Sequence, residues 1–339
     1  GVDGLLLAQP LCMPLCNQLV WSMIIYLIAS FILKSNRKEN QLKDEIESKP
    51  MTGPFTPAIE ELKSSGQKVF GPLSWKKDYL PKYFSDSSAE ERINLSTTAR
   101  YLSIQSLSDL NPDLRNNNTM IFRLGRGTFA LLQVSVIEDF FLMDKDLDFK
   151  KEDFEPKVDT SELDHFFLMG YGSDSETNFV NLSIASGLLQ KSLNLDTTDP
   201  RISPATGKSV YTFDFYPHHD FQEINFQHHE GQVEIDALYR GMRDGRKTIF
   251  VIEAKKGAPT KNSSLAKYKL AYPYFALTKI IPDDYDIVPV YFRAWIEKER
   301  DEIHFLISEC TFDRTDNDQL YVSKLLPSSI QHLVMTSTR

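Results

Sequence analysis

Four charged residues stand where two apolar, β-branched runs would otherwise read as buried strands. Glu234 and Asp236 interrupt QVEIDALYR (Gln232–Arg240), and Glu253 and Lys255 end KTIFVIEAK (Lys247–Lys255). Burying unpaired charge costs several kcal/mol, so such residues either decorate an edge or form a site. Side chains alternate along a strand. Val233 and Ile235 therefore face one side and Glu234 and Asp236 the other, and Ile252 and Ala254 likewise oppose Glu253 and Lys255. Pairing the two strands across GMRDGR can bring Asp236, Glu253 and Lys255 onto one face. Converging carboxylates suit a hard divalent cation such as Mg²⁺, which takes one or two carboxylates plus waters and a phosphate oxygen. A lysine beside them can hold or deprotonate a bound water, which together is the equipment for metal-assisted phosphodiester hydrolysis.

The tripeptide alone carries little weight. Acid-x-Lys also occurs at Glu47/Lys49, Glu61/Lys63, Asp148/Lys150 and Glu155/Lys157, and a strand-end Glu/Lys pair is often a cross-strand ion pair worth under about 1 kcal/mol. Only Glu253/Lys255 ends an apolar β run that follows another strand presenting an acid. The elements that must position it are legible around it. An amphipathic helix is expected over Ser175–Leu193 with Ser175 as its cap. Strands are expected over Ser209–Tyr216, Gln232–Arg240, Lys247–Lys255, Asp286–Trp295 and Glu302–Cys310, with a crossover helix in SSLAKYKLAYPYFALTKI (Ser263–Ile280) that contains Pro273. Helix, hairpin, crossover helix and further strands predict an α/β (α+β) fold built on a mixed sheet flanked by helices.

With these elements in place, EID (Glu234–Asp236), followed by EAK (Glu253–Lys255) and then by KLAYPY (Lys269–Tyr274), resembles the PD-(D/E)XK nuclease superfamily. More narrowly it is similar to type II restriction endonucleases that read QxEID … EAK and then QLYYPY. The resemblance spans about Ala58–Leu333 and is sharpest within 230–275. It implies a restriction-endonuclease-like core, Asp236 and Glu253 as metal ligands with the Ala254 carbonyl, Mg²⁺ as cofactor and Lys255 as the catalytic lysine. Glu176 is the candidate for the extra acid many such enzymes contribute. Two positions depart from the pattern: Ile235 replaces the proline that names the superfamily, and Lys269 replaces the usual helix glutamine. The implied activity is site-specific cleavage of double-stranded DNA. The alternatives are a repair or junction-resolving nuclease on the same core, and a membrane-anchored binding protein with an inactive nuclease-like fold.

The formal net charge is −9, so DNA contact must rest on a local positive patch. Lys255, Lys256, Lys261, Lys267 and Lys269 fall within fifteen residues free of acids and abut the site. Arg123 and Arg126 lie on a hairpin expected over Thr119–Val136 around GRG, where arginine can reach phosphate or guanine. His218–His219 and His228–His229 read as ordinary polar residues whose neighbouring rings point apart, not as zinc ligands. Three cysteines cannot build a disulfide framework and indicate a reducing compartment.

Along the chain, 1–38 is an apolar leader or membrane anchor, 39–57 a linker, 58–165 an N-terminal domain suited to DNA recognition, and 166–339 the nuclease domain. Leu19–Leu33 is nearly continuous apolar sequence followed by Lys34, Arg37 and Lys38, which would hold the remainder on the cytoplasmic side if it spans a bilayer. A non-native leader or a buried helix are the alternatives. Eleven acids against four lysines between Glu138 and Asp164 predict a solvated connector between the two domains. The expected location is the cytoplasm, and the expected partners are double-stranded DNA, a second copy of the chain and, through the leader, the membrane.

Overall fold

The computed structural model of the protein describes residues 53–88, 94–147, 150–158, 163, 175–196, 201–204, 210–297, 299–314 and 318–336, with the backbone alone over 201–204. The apolar run at 19–33 lies outside the described residues. Among the described residues no helix is long and apolar enough to cross a membrane.

Thr52–Arg339 form one compact unit. Its first part is an aromatic core. Helix α1 (Thr56–Ser65) ends at Gly66, whose left-handed φ of 68° supplies the C-cap. Strands β1 (Val69–Ser74), β2 (Thr119–Arg123) and β3 (Thr128–Gln133) make a three-stranded sheet in the order β1-β3-β2. Phe55, Trp75, Tyr79 and Phe129 are fully buried there, with ring centroids 5.0–6.4 Å apart, and supply much of the apolar area this small sheet hides. The GRG turn joins β2 to β3 with positive φ at Gly125, Arg126 and Gly127. Gly125 has a second constraint, because a Cβ there would lie 2.1 Å from the His229 carbonyl oxygen. The turn is thereby pressed against the next sheet.

The segment expected as a solvated connector is structural instead. Short strands β4 (Phe141–Met143) and β5 (Lys151–Asp153) arise from it. Between them Asp144 is buried: Tyr291 Oη donates to its Oδ1 at 2.9 Å, and Arg293 Nε lies 3.0 Å from its Oδ2. Burial pushes the Asp144 pKa up against the pull of Arg293. An acid count cannot reveal such a partner, which lies far along the chain. The boundary expected between 165 and 166 lies outside the described residues, and the acid-rich stretch before it pairs with strands and side chains from the second half of the chain.

The main sheet adds β6 (Arg201–Pro204), β9 (Ala237–Arg243), β10 (Arg246–Lys256), β12 (Tyr285–Glu297), β13 (Glu302–Phe312) and β14 (Leu325–Thr336), in the order β5-β14-β13-β12-β10-β9-β6. Strands β7 (Val210–Phe215) and β8 (Phe226–Gln232) form a separate pair, and β11 (Ser264–Ala266) pairs with β4. β9 and β10 are antiparallel across a two-residue turn, Asp244–Gly245, with positive φ at both positions, as a hairpin of this twist requires. β10 and β12 are parallel, and the crossover between them carries helix α4 (Tyr268–Leu277). The fold is α+β with a mixed sheet.

Helices α2 (Glu176–Ala185) and α3 (Leu188–Ser192) divide the single helix expected over Ser175–Leu193. The break falls at Gly187, with φ of 78°, and Ser175 caps α2 through the Asn178 N–H as its sequence suggested. Phe179, Leu182, Leu188 and Leu189 join Phe250, Ile252, Ala254 and Phe292 in one buried cluster. That cluster occupies one face of the sheet and leaves Glu253 on the face toward α4. The crossover helix is likewise shorter than expected, because Ser264–Ala266 are a strand and only Tyr268–Leu277 is helical.

Candidate functional site

The run QVEIDALYR is not one strand. β8 stops at Gln232, β9 starts at Ala237, and Val233–Asp236 carry the chain from the β7–β8 pair into the main sheet. Alternation survives the break: Val233 and Ile235 are buried, whereas Glu234 and Asp236 are exposed. The last β9–β10 pair is Ala237 with Ile252, so Asp236 sits beside Glu253 where the ladder would continue. There its Oδ2 accepts from the Ala254 N–H at 2.7 Å, replacing a strand hydrogen bond with a carboxylate one.

Glu253 is 2% exposed, on the face of β10 that α4 covers. Lys255 Nζ donates to Glu253 Oε1 and to the Ala254 carbonyl, both at 2.8 Å. Lys269, on the first turn of α4, approaches Glu253 Oε1 at 3.5 Å and Glu234 Oε2 at 3.1 Å. Burial pushes the Glu253 pKa up, and the neighbouring Asp236 charge adds to that, while Lys269 and Lys255 pull the other way. Glu234 is held below the usual carboxylate range, chiefly by the Lys269 charge. Burial alone would lower the Lys269 pKa, but Glu253 and Glu234 together outweigh it and raise it. The result is a chain of alternating charge, Glu234–Lys269–Glu253–Lys255, with Asp236 at its flank. An arrangement of this kind sets two ammonium groups against the burial of Glu253 and can hold a cation against oxygen donors.

Other sequence-predicted residues fall elsewhere. Lys256, the last residue of β10, and Lys261, beyond it, are exposed. Lys267 is not on a positive surface: it is 4% exposed, donates to the Ser323 carbonyl at 2.7 Å, and burial lowers its pKa to about 8. Lys269 is 8% exposed and turned toward the acids. Lysine usually takes a solvent face, which is what the sequence predicts for both, but here each has an internal acceptor. Glu176 opens α2, whose buried residues share the core cluster with Ile252 and Ala254. Among the described residues no hydrogen bond or ion pair joins Glu176 to Asp236 or Glu253. The His218 and His219 rings do not point apart but stack at 4.5 Å, and both meet Asp220.

A cleft of about 470 Å³ is lined by Lys76, Lys77, Arg123, Arg126, Gln232 and the GRG turn, and shares Arg123 and Gln232 with a smaller pocket that Glu234 and Lys269 line. No acid lines the cleft. Arg123 ties the two regions together: its guanidinium donates to Ser103 Oγ at 3.0 Å, its carbonyl accepts from Tyr272 Oη at 3.0 Å, and its charge helps lower the Glu234 pKa. Arg126 is exposed and ion-paired with Glu230. The sequence singles out Glu234 without giving it a role, and offers no sign of Lys76 and Lys77. The spacing of Glu234 two residues before Asp236 was a usable signal, whereas nothing in the sequence joins Lys76 and Lys77 to the GRG turn.

Residues 145–324 match a family described as a domain of unknown function, DUF6997. The match covers more than half of the chain, and the chain belongs to that family. The matched region contains Asp236, Glu253, Lys255 and Lys269, whereas the four basic residues lining the cleft precede it. No curated protein and no solved structure matches the chain.

Proposed function

We propose that this chain is a Mg²⁺-dependent endonuclease that cleaves double-stranded DNA in the manner of type II restriction enzymes of the PD-(D/E)XK superfamily. The observation that carries the reading is the convergence of Asp236, Glu253, the Ala254 carbonyl and Lys255 where β9 meets β10. These three oxygen donors are the hard set Mg²⁺ takes, and a cation already bridges two of them, since the Lys255 ammonium binds Glu253 Oε1 and Ala254 O. The residues present therefore fit the ion, and Asp236, Glu253 and Ala254 would hold it. When bound, Mg²⁺ neutralises charge on the scissile phosphate and orients it.

The chain's own residues supply the remainder. Lys255, released from Glu253 and Ala254, is placed to position an attacking water and to favour its ionised form. Lys269 and Lys255 oppose the burial that raises the Glu253 pKa, and so favour the charged form that a cation would bind. The acid-free cleft accommodates backbone phosphates, and the net charge of −9 steers DNA away from the rest of the surface. Two copies related by a two-fold axis would present one such site to each strand. The setting that fits DNA as substrate and free thiols is the cytoplasm.

The test is digestion of supercoiled plasmid and mixed-sequence genomic DNA in Mg²⁺, with the ends mapped and four-way junction DNA run alongside. Discrete ends that vanish with chelator and with Lys255→Ala support the proposal. Cleavage confined to junctions would move the chain to the resolving class. Absence of cleavage on every substrate would overturn the nuclease reading.

A further inference from the structure

The tip of the β12–β13 hairpin carries a second group of ligand-type side chains, remote from Glu253. Tyr291 is the β12 partner of Glu253, and Glu297 lies six residues further along the same strand, roughly 20 Å at strand rise. Glu297 and Glu302 are cross-strand partners, and His304 follows Glu302 by two residues, so all three project from one face. His304 Nε2 lies 3.0 Å from Glu297 Oε2 and 3.1 Å from Glu302 Oε2, and the three ligand atoms fall within 4.8 Å of one another.

What singles this group out is the state of the imidazole. The His304 side chain is 1% exposed, and its Nε2 is buried without a hydrogen-bond partner although two carboxylate oxygens stand at contact distance. Neither contact has the alignment of a good N–H hydrogen bond, although both oxygens are near enough to attract a cation, whether a metal ion or the protonated ring itself. The other ring nitrogen, Nδ1, is 3.0 Å from His332 Nε2. With the shared proton on His304 Nδ1, the Nε2 lone pair faces two carboxylate oxygens: three electron-rich atoms that repel unless a cation stands between them. Ligand–ligand separations of 3.0 and 3.1 Å, with metal–ligand bonds of about 2.1 Å, correspond to angles of roughly 90–95°, those of neighbouring ligands in an octahedral shell.

We propose that Glu297, Glu302 and His304 form a binding site for a divalent transition-metal cation, independent of the nuclease site. The support around the ligands has the form such sites use. His332 Nε2 stands 3.0 Å from the second ring nitrogen, and with His332 as acceptor it holds the Nδ1 proton and leaves Nε2 to the site, as outer partners of metal-bound histidines do. Trp295 stacks on the His304 ring at 4.8 Å and 7°, holding its plane. Arg300 approaches the other oxygen of Glu297, Oε1, at 3.5 Å and leaves Oε2 to the site. Lys151, the β5 partner of His332, is the nearby positive charge a bound ion would have to tolerate. One imidazole with two carboxylates favours a borderline ion such as Zn²⁺, Mn²⁺ or Co²⁺ over Ca²⁺. A cation here would cross-link the ends of two long strands.

The test uses the full chain, stripped with chelator and titrated with Co²⁺, a paramagnetic probe that quenches a nearby indole. One equivalent is expected to quench Trp295, identified as the signal missing from Trp295→Phe, while that variant still binds the ion by calorimetry. Glu302→Gln, a partly exposed change that should fold, is expected to weaken binding about 10–100-fold or more, and His304→Gln to abolish it. Asp236→Asn should leave the quenching unchanged, which separates this site from the nuclease site. Quenching and affinity unaltered in Glu302→Gln, loss of the quenching in Asp236→Asn, or no binding in the unmodified chain at millimolar Co²⁺, would each overturn the proposal.

Discussion

Replacing Lys269 with methionine keeps an unbranched apolar stem, one heavy atom shorter, and removes the ammonium between Glu253 and Glu234. At 3.5 Å from Glu253 Oε1 and an effective dielectric of about 20, that ammonium is worth about 5 kcal/mol of attraction. This is a ceiling, because the variant is also relieved of burying Lys269. Glu234, half exposed at 51%, is screened by solvent and adds little. Breaking a buried pair by removing one partner costs about 3–5 kcal/mol, and we expect about 3 kcal/mol at pH 8. The loss must depend on pH, and its sign follows from the shifts. The Glu253 pKa is raised in the fold, so its charged form opposes folding as pH climbs through the folded value, and Lys269 limits that penalty. The Glu234 pKa is lowered in the fold, so its contribution is present above the unfolded value and lost as pH falls. Both effects make the gap between the unmodified chain and Lys269→Met wide at pH 8 and narrow near pH 4. Urea unfolding of both proteins at the two pH values measures it. An equal gap at both pH values, or none at pH 8, would refute the coupling and leave Lys269 as a packing residue.

Lys255→Ala should lower single-turnover cleavage by about 10²–10⁴ while DNA binding in Ca²⁺ persists; cleavage near the unmodified rate would place the catalytic lysine elsewhere. Asp236→Asn should keep the hydrogen bond to the Ala254 N–H and the fold but lose cleavage, whereas Asp236→Ala should also lose about 1 kcal/mol in thermal unfolding; equal stability of the two would mean the bond contributes nothing. Arg126→Ala and Lys77→Ala should each weaken DNA binding across sequences and reduce the salt slope by about one, and slopes unchanged by either would remove the cleft from the DNA path.

The sequence by itself determined the elements whose information is local. Two apolar runs joined by a Gly-containing turn can pair only as a hairpin, and period-2 alternation then fixes which side each acid takes. That is why Asp236, Glu253 and Lys255 were legible as a group, and why the α+β mixed sheet followed from strands separated by one crossover helix. Alternation says which face a side chain takes but not what stands opposite it. Lys267 and Lys269 read as a solvent-facing patch because nothing local names Ser323, Glu234 and Glu253 as their acceptors. Asp144 read as part of a solvated connector because Tyr291 and Arg293 lie far along the chain. The basic cleft joins Lys76 and Lys77 to Arg123 and Arg126 only once β1, β2 and β3 have paired. Whether a charge is buried depends on partners that long-range pairing delivers, and a charged side chain enters a low-dielectric interior only when such a partner meets it there. Local pattern grouped Asp236, Glu253 and Lys255, and the tertiary structure decided which charges surround them.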